Sequence, residues 1–252
     1  TADPIQFAGT SSILNLNGKT ATFGKANTTS QITMNSTSAI KGSSASSLTI
    51  LGTGSFGTVR FDQTNPGTTN VLQNLNIDRS TGSVILGENL IVSGNLTVTS
   101  GTLTLAASKQ LTVSGTLTNN GTFTLENGAT FKQGSSVTGG GTYNVKQTLS
   151  DGAGSGSTLT GRYWYMGTPV SCARSVGFGS ASALNKVWSF TNGAYAAVAD
   201  ATMLSPTTGY VHRRWDNPTL TFSGQNLYAT DVTLSLSNNA GTYGGWHLIA
   251  NP

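Results

Sequence analysis

Apolar and polar residues alternate in short runs along most of this chain, and between residues 84 and 146 the runs recur about every twenty positions. Leu90-Ile91-Val92 is followed by Leu111-Thr112-Val113 and then by Phe131. Leu96-Thr97-Val98 is followed by Leu117 and then by Val137, and Leu103-Thr104-Leu105 by Phe123-Thr124-Leu125 and then by Tyr143-Asn144-Val145. Gly-containing pairs separate the runs: Ser93-Gly94, Ser100-Gly101, Ser114-Gly115 and Asn120-Gly121. Alternation at a spacing of two predicts strands. Three strands in about twenty residues predict a coil of parallel strands, a β-solenoid, with Leu96, Leu103, Leu111, Leu117, Phe123, Leu125 and Phe131 stacked inside.

Residues 1–83 read as irregular first coils of the same solenoid, which then spans residues 1–149 with its regular part at 84–148. Ile13-Leu14-Asn15-Leu16, Gln31-Ile32-Thr33-Met34, Leu48-Thr49-Ile50-Leu51 and Val59-Arg60-Phe61 are short strand candidates, and Asn65-Pro66-Gly67 is a turn. Residues 150–160 are a Gly/Ser-rich linker. Residues 161–252 predict an antiparallel β-sandwich-like module, because all four tryptophans and six of the seven tyrosines lie there. Val187-Trp188-Ser189-Phe190 and Ala194–Val198 flank Thr191-Asn192-Gly193 as a hairpin. Strands are also expected at Arg162–Met166, Gly209–His212, Thr219–Phe222, Val232–Leu236 and Trp246–Ile249. The expected fold class is all-β.

Composition narrows the function. Only 9% of residues are charged, against roughly 25% in an ordinary globular protein. The net charge is +4, but the basic residues are scattered and only Arg213-Arg214 are adjacent, which argues against nucleic-acid binding. No apolar run is long enough for a transmembrane segment. The single cysteine, Cys172, excludes an internal disulfide and is expected to be a buried, inert thiol. The start at Thr1 reads as that of a processed or excised product.

Gly245-Trp246-His247-Leu248-Ile249-Ala250-Asn251-Pro252 resembles a Gly-Trp-x-Leu-x-x-Asn-Pro segment of large secreted surface proteins of the Bacteroidota. Tyr163-Trp164-Tyr165 with Pro169-Val170, the Val187–Phe190 hairpin, Gly209-Tyr210-Val211 and Thr221-Phe222-Ser223-Gly224 are similar to the same proteins, in which a Gly- and Thr-rich β-helical stretch precedes the module. The resemblance implies export by the type IX secretion machinery and a place outside the cell or on its outer surface. It also implies a longer parent, with the module cut short at Asn251-Pro252.

Candidate chemistry is sparse. Polysaccharide lyases and hydrolases on parallel β-helices need converging acidic or basic groups. Glu88, Lys109, Glu126, Lys132 and Lys146 do not stack into a carboxylate pair at the expected period, and Asp200, Asp216 and Asp231 follow no motif. His212, His247 and Cys172 have no metal-ligand spacing. No catalytic, cofactor-binding or metal residue is therefore expected, and the chain is read as not an enzyme. Thr102/Thr104 one coil below Thr122/Thr124, and Thr97/Thr99 below Thr116/Thr118, suggest outward Thr ladders. Such ladders order water and bind ice in some settings, while the plainer reading is a polar strand face. Most aromatics are expected in the module's core. Trp215, in a turn beside Arg213 and Arg214 and near Tyr210, is the expected glycan or partner contact. Two function classes remain. One is a non-catalytic extracellular structural or adhesive protein, such as an adhesin stalk, filament subunit or surface-layer component, that contacts itself or other surface polymers. The other is a carbohydrate-binding accessory segment of a larger enzyme.

Overall fold

The computed structural model describes residues 5–7, 9–150, 162–179, 186–191, 193–214, 217–227, 233–236, 238 and 244–250. The expected linker falls almost wholly outside them. The fold is all-β, and the chain divides into two compact units, Thr1–Thr142 and Tyr143–Pro252.

In the first unit, β1 (Ile5–Gln6), β2 (Ile13–Asn15) and β3 (Thr20–Phe23) pair in parallel with β4 (Ile32–Thr33), β5 (Ala39–Lys41) and β6 (Ser47–Gly52). Then β6 and β7 (Gly57–Val59) both pair with the long β9 (Asn74–Leu86), and β8 (Val71–Leu72) with β10 (Leu90–Val92). Parallel pairing continues through β11 (Leu96–Leu105), β12 (Gln110–Val113), β13 (Leu117–Asn119), β14 (Thr122–Leu125), β15 (Thr130–Gln133) and β16 (Val137–Thr138).

Register places apolar residues in columns. Leu48, Leu75, Leu96, Leu117 and Val137 form one, and Val84, Leu103 and Phe123 another. Leu90, Leu111 and Phe131 form a third. Leu96, Leu103, Leu111, Leu117, Phe123 and Leu125 are buried as expected. Phe131 is half-buried, its ring edge-on to Phe123 at 5.5 Å.

The first strands differ from expectation in a definite way. Their offsets vary, and several are longer than twenty. Ile5 faces Ile32 and Thr20 faces Ser47, an offset of 27 residues. Leu96 then faces Leu117 at 21, and Thr102 faces Thr122 at 20. Part of the difference lies at one corner. The inward residues Ile77 and Val84 are seven positions apart, their partners Val98 and Leu103 five, and Asn119 and Phe123 four.

Arg79 fills the wide corner. Its side chain is fully buried. The guanidinium donates to the carbonyl oxygens of Gly54 at 2.9 Å, Leu51 at 2.6 Å and Ser30 at 2.9 Å, to that of Thr53, and to Ser30 Oγ at 3.2 Å. It also lies 5.1 Å from the Phe56 ring centre. Desolvation lowers its pKa from the ordinary guanidinium value. The charge is matched by backbone dipoles pointing inward from two preceding corners. Where the corner tightens, glycines replace it. A Cβ on Gly82 would run into Gly54, one on Gly101 into Arg79 and Gly82, one on Gly121 into Gly101, and one on Gly141 into Gly121.

The second unit begins with β17 (Thr142–Thr148), which straddles the boundary. It continues with β18 (Arg162–Met166), a 3-10 turn at Ser175–Phe178, β19 (Lys186–Thr191), β20 (Ala194–Ala197), β21 (Tyr210–Arg214) and β22 (Thr219–Gly224). Within the unit the pairs are antiparallel: β17 with β22, β18 with β21, β21 with β19, and β19 with β20 as the expected hairpin. The strand expected at Val232–Leu236 is not formed over residues 233–236, where Leu234 and Leu236 are exposed and find no ladder. At Trp246–Ile249 a single bridge, Thr208 to Ile249, stands in place of a strand. Cys172 is exposed and not buried, because it occupies a turn with φ 59° beside the Val170–Leu227 bridge.

Replacing Arg79 by Met should lower unfolding free energy by roughly 3–5 kcal/mol, since it strands several buried carbonyls. Leu103→Ala should cost about 2–5 kcal/mol through its cavity. Both are read from denaturant midpoints of the first unit's transition.

Candidate functional site

The four-stranded sheet β18-β21-β19-β20 of the second unit has two contrasting faces, and its register decides which side chain joins which. Trp164, His212 and Val187 are opposite one another, as are Met166, Tyr210 and Ser189. This face meets Phe178, whose ring lies 5.0 Å from His212, 6.0 Å from Tyr210 and 5.1 Å from Phe222. It is the core of the unit.

The other face carries Tyr163 opposite Arg213, then Tyr165, Val211 and Trp188 in line, then Phe190 opposite Tyr195. Three of these tyrosines are open to solvent: Tyr163 is 52% exposed, Tyr165 67% and Tyr195 60%. Val211 lies buried between them. The Tyr163 and Trp188 rings are 6.3 Å apart with a 38° tilt, and Phe190 and Tyr195 are 4.8 Å apart at 58°. A groove of about 390 Å³ runs between Tyr163, Tyr165, Trp188, Tyr195 and Val211. A second, of about 470 Å³, is lined by Phe190, Gly193, Tyr195 and Trp246. The two share Tyr195. Trp246 is 71% exposed. Its segment is anchored nearby, where Gly209 N donates to Leu248 O at 2.9 Å and Ala250 N to Thr207 O at 3.0 Å. Arg213 lies over the Tyr163 ring at 5.7 Å, holding a guanidinium at one end of the face.

The residues expected to make a contact separate in the structure. Tyr210 is buried, and its hydroxyl accepts from Ser205 N at 2.7 Å. Arg214 is buried, and its Nη1 donates to Phe178 O at 2.9 Å. Both belong to the packing of the unit. Trp215 lies outside the described residues. Only Arg213 reaches the aromatic face. The face itself was missed by placing most aromatics in the core. Its signal was Tyr163-x-Tyr165 and Trp188-x-Phe190, two pairs at strand spacing.

The first unit offers weaker candidates. Glu88 bridges Arg60 at 2.9 Å and Lys109 at 2.6 Å, and Asp62 accepts from Thr64 N and Oγ1, both at 2.9 Å. These two carboxylates border one groove, yet each is committed to local partners. The outward column runs Thr22, Thr49, Asn76, Thr97, Thr118, Thr138, so Thr97 aligns with Thr118 and not with Thr116. Its hydroxyls bond one another, as at Thr118 and Thr138, 3.1 Å apart. Thr102 and Thr104 align with Thr122 and Thr124 as expected. Among the described residues no cluster of His, Cys, Asp and Glu is arranged to hold a metal, and no helix is long and apolar enough to cross a membrane.

Compared with known proteins, the chain matches no family model, no curated protein and no solved structure.

The two faces predict opposite mutational behaviour. Tyr165→Ala and Tyr195→Ala should each change stability by no more than about 0.5 kcal/mol, as surface positions do. Tyr210→Ala, on the core face, should cost roughly 3–5 kcal/mol. Thermal unfolding followed by tryptophan fluorescence would register the difference.

Proposed function

We propose that this chain is a non-catalytic structural and adhesive segment of an extracellular or outer-surface protein. In this reading the first unit is a parallel β-solenoid that serves as a stalk, and the second is a sandwich-like binding module. The observation that carries the reading is the sustained parallel register, with apolar residues in inward columns and Thr, Asn and Ser outside. Such an architecture grows in length one coil at a time, each coil contacting only its neighbours. The low charge of the chain suits close packing against polymers or copies of itself. The resemblance of residues 245–252 to secreted Bacteroidota surface proteins supports export through the type IX machinery. The exposed aromatic face favours a second reading, a carbohydrate-binding accessory segment of a larger secreted enzyme.

Self-association has a defined starting point. β2 has one partner strand among the described residues, β5, and Ile13 and Leu14 on it are exposed. An unpaired parallel edge with apolar side chains is a template for another chain.

Antibody against the chain should label intact, unpermeabilised cells that make its parent, and small-angle scattering should show self-association growing with concentration. Deleting residues 1–20 should weaken that association while leaving the tryptophan spectrum of the second unit unchanged. Confinement of the parent to the cell interior, together with a monomer at high concentration, would overturn the proposal.

A further inference from the structure

We infer that the aromatic face of the second unit is a binding site for a neutral polysaccharide of equatorially substituted pyranose rings, the class of the β-linked glucans. The inference rests on the second, carbohydrate-binding reading and names its ligand.

The chemistry of the face selects this class. A protein core would bury these rings, as the opposite face of the same sheet does against Phe178. Here Tyr163, Tyr165 and Tyr195 stand exposed along the sheet, with Trp246 beside them. Tyrosine combines a flat apolar ring with a hydroxyl that both donates and accepts. An equatorially substituted pyranose has the matching distribution: its C–H bonds form two apolar faces, and its hydroxyls form a polar rim. Rings stack on the faces while phenol groups reach the rim. Sugars with axial hydroxyls interrupt one apolar face and fit less well.

Size and charge point the same way. The two grooves, about 390 and 470 Å³, lie within the roughly 300–1,000 Å³ usual for small-ligand sites, and their shared wall at Tyr195 allows one chain to occupy both. The residues lining them among those described are uncharged, which suits a neutral polymer. The guanidinium of Arg213 stands over the Tyr163 ring and lines neither groove.

The test uses the intact chain in native affinity gels cast with hydroxyethyl cellulose, with polygalacturonate and dextran gels as comparisons. Titration with cellohexaose, followed by tryptophan fluorescence, gives the affinity. Retardation by the cellulose derivative is expected, weaker or absent with the other two. Tyr165→Ala combined with Tyr195→Ala should reduce affinity by about tenfold or more. Tyr165→Phe combined with Tyr195→Phe keeps the rings and should stay within about threefold of the parent, which separates stacking from simple loss of fold. The inference is overturned by retardation that persists in the double Ala variant or is stronger with polygalacturonate. It is equally overturned by no retardation in any gel, or by light scattering that shows the face joining two copies. Cell-surface labelling and association through residues 1–20 do not depend on these tyrosines, so failure here leaves the adhesive reading to its own test.

Discussion

A stack of parallel strands must turn a corner the same way each time it returns, and in the first unit one corner is held open by a single buried cation. Arg79 gathers carbonyl oxygens from Ser30, Leu51, Thr53 and Gly54, groups that point inward because the preceding corners are long. Without a donor these carbonyls would be buried and unpaired, at a cost comparable to a lost hydrogen bond each. A carboxylate partner is not required, since the backbone supplies the negative ends. After Arg79 the corner shortens. Gly101 lies against the carbonyl of Arg79 itself, and two strands later Asn119, in the column of Ile77 and Val98, is the inward residue at the corner. Asn119 closes its corner with its own side chain, which accepts from Gly121 N at 3.2 Å and donates to Thr142 O at 3.1 Å. The change of offset from 27 to 20 thus passes from a long polar side chain to a short one, with glycine alongside.

The regular strands were legible because two signals agreed. Leu96 and Leu117, or Leu103 and Phe123, share both the alternation of a half-buried strand and a nearly constant spacing. The longer offset before them was not legible, since the added residues fall in corners where Gly, Ser and Thr carry no apolar pattern. Arg79 gave no sign either. An arginine within a polar run reads as solvated until its carbonyl partners are known.

The aromatic face shows a different limit. Tyr163-Trp164-Tyr165 is aromatic at every position, so alternation cannot say which side is the core. The decision is made by Phe178, backed by Phe222, which packs against His212 and Tyr210 on Trp164's side of the sheet and leaves the tyrosines outside. Tyr210 and Arg214 were singled out near Trp215 for their chemistry. The same distant phenylalanine claims both, one through its ring and one through its carbonyl.

The spacing of the later strands also carries an evolutionary consequence. Leu90, Leu111 and Phe131 occupy equivalent positions, and Gly82, Gly101, Gly121 and Gly141 stack one on the next, so successive periods of this unit share their frame. A period gained or lost there would keep the inward apolar columns and the stacked glycines in register. The Arg79 corner has no equivalent among the described residues, so any such exchange is confined to the strands that follow it.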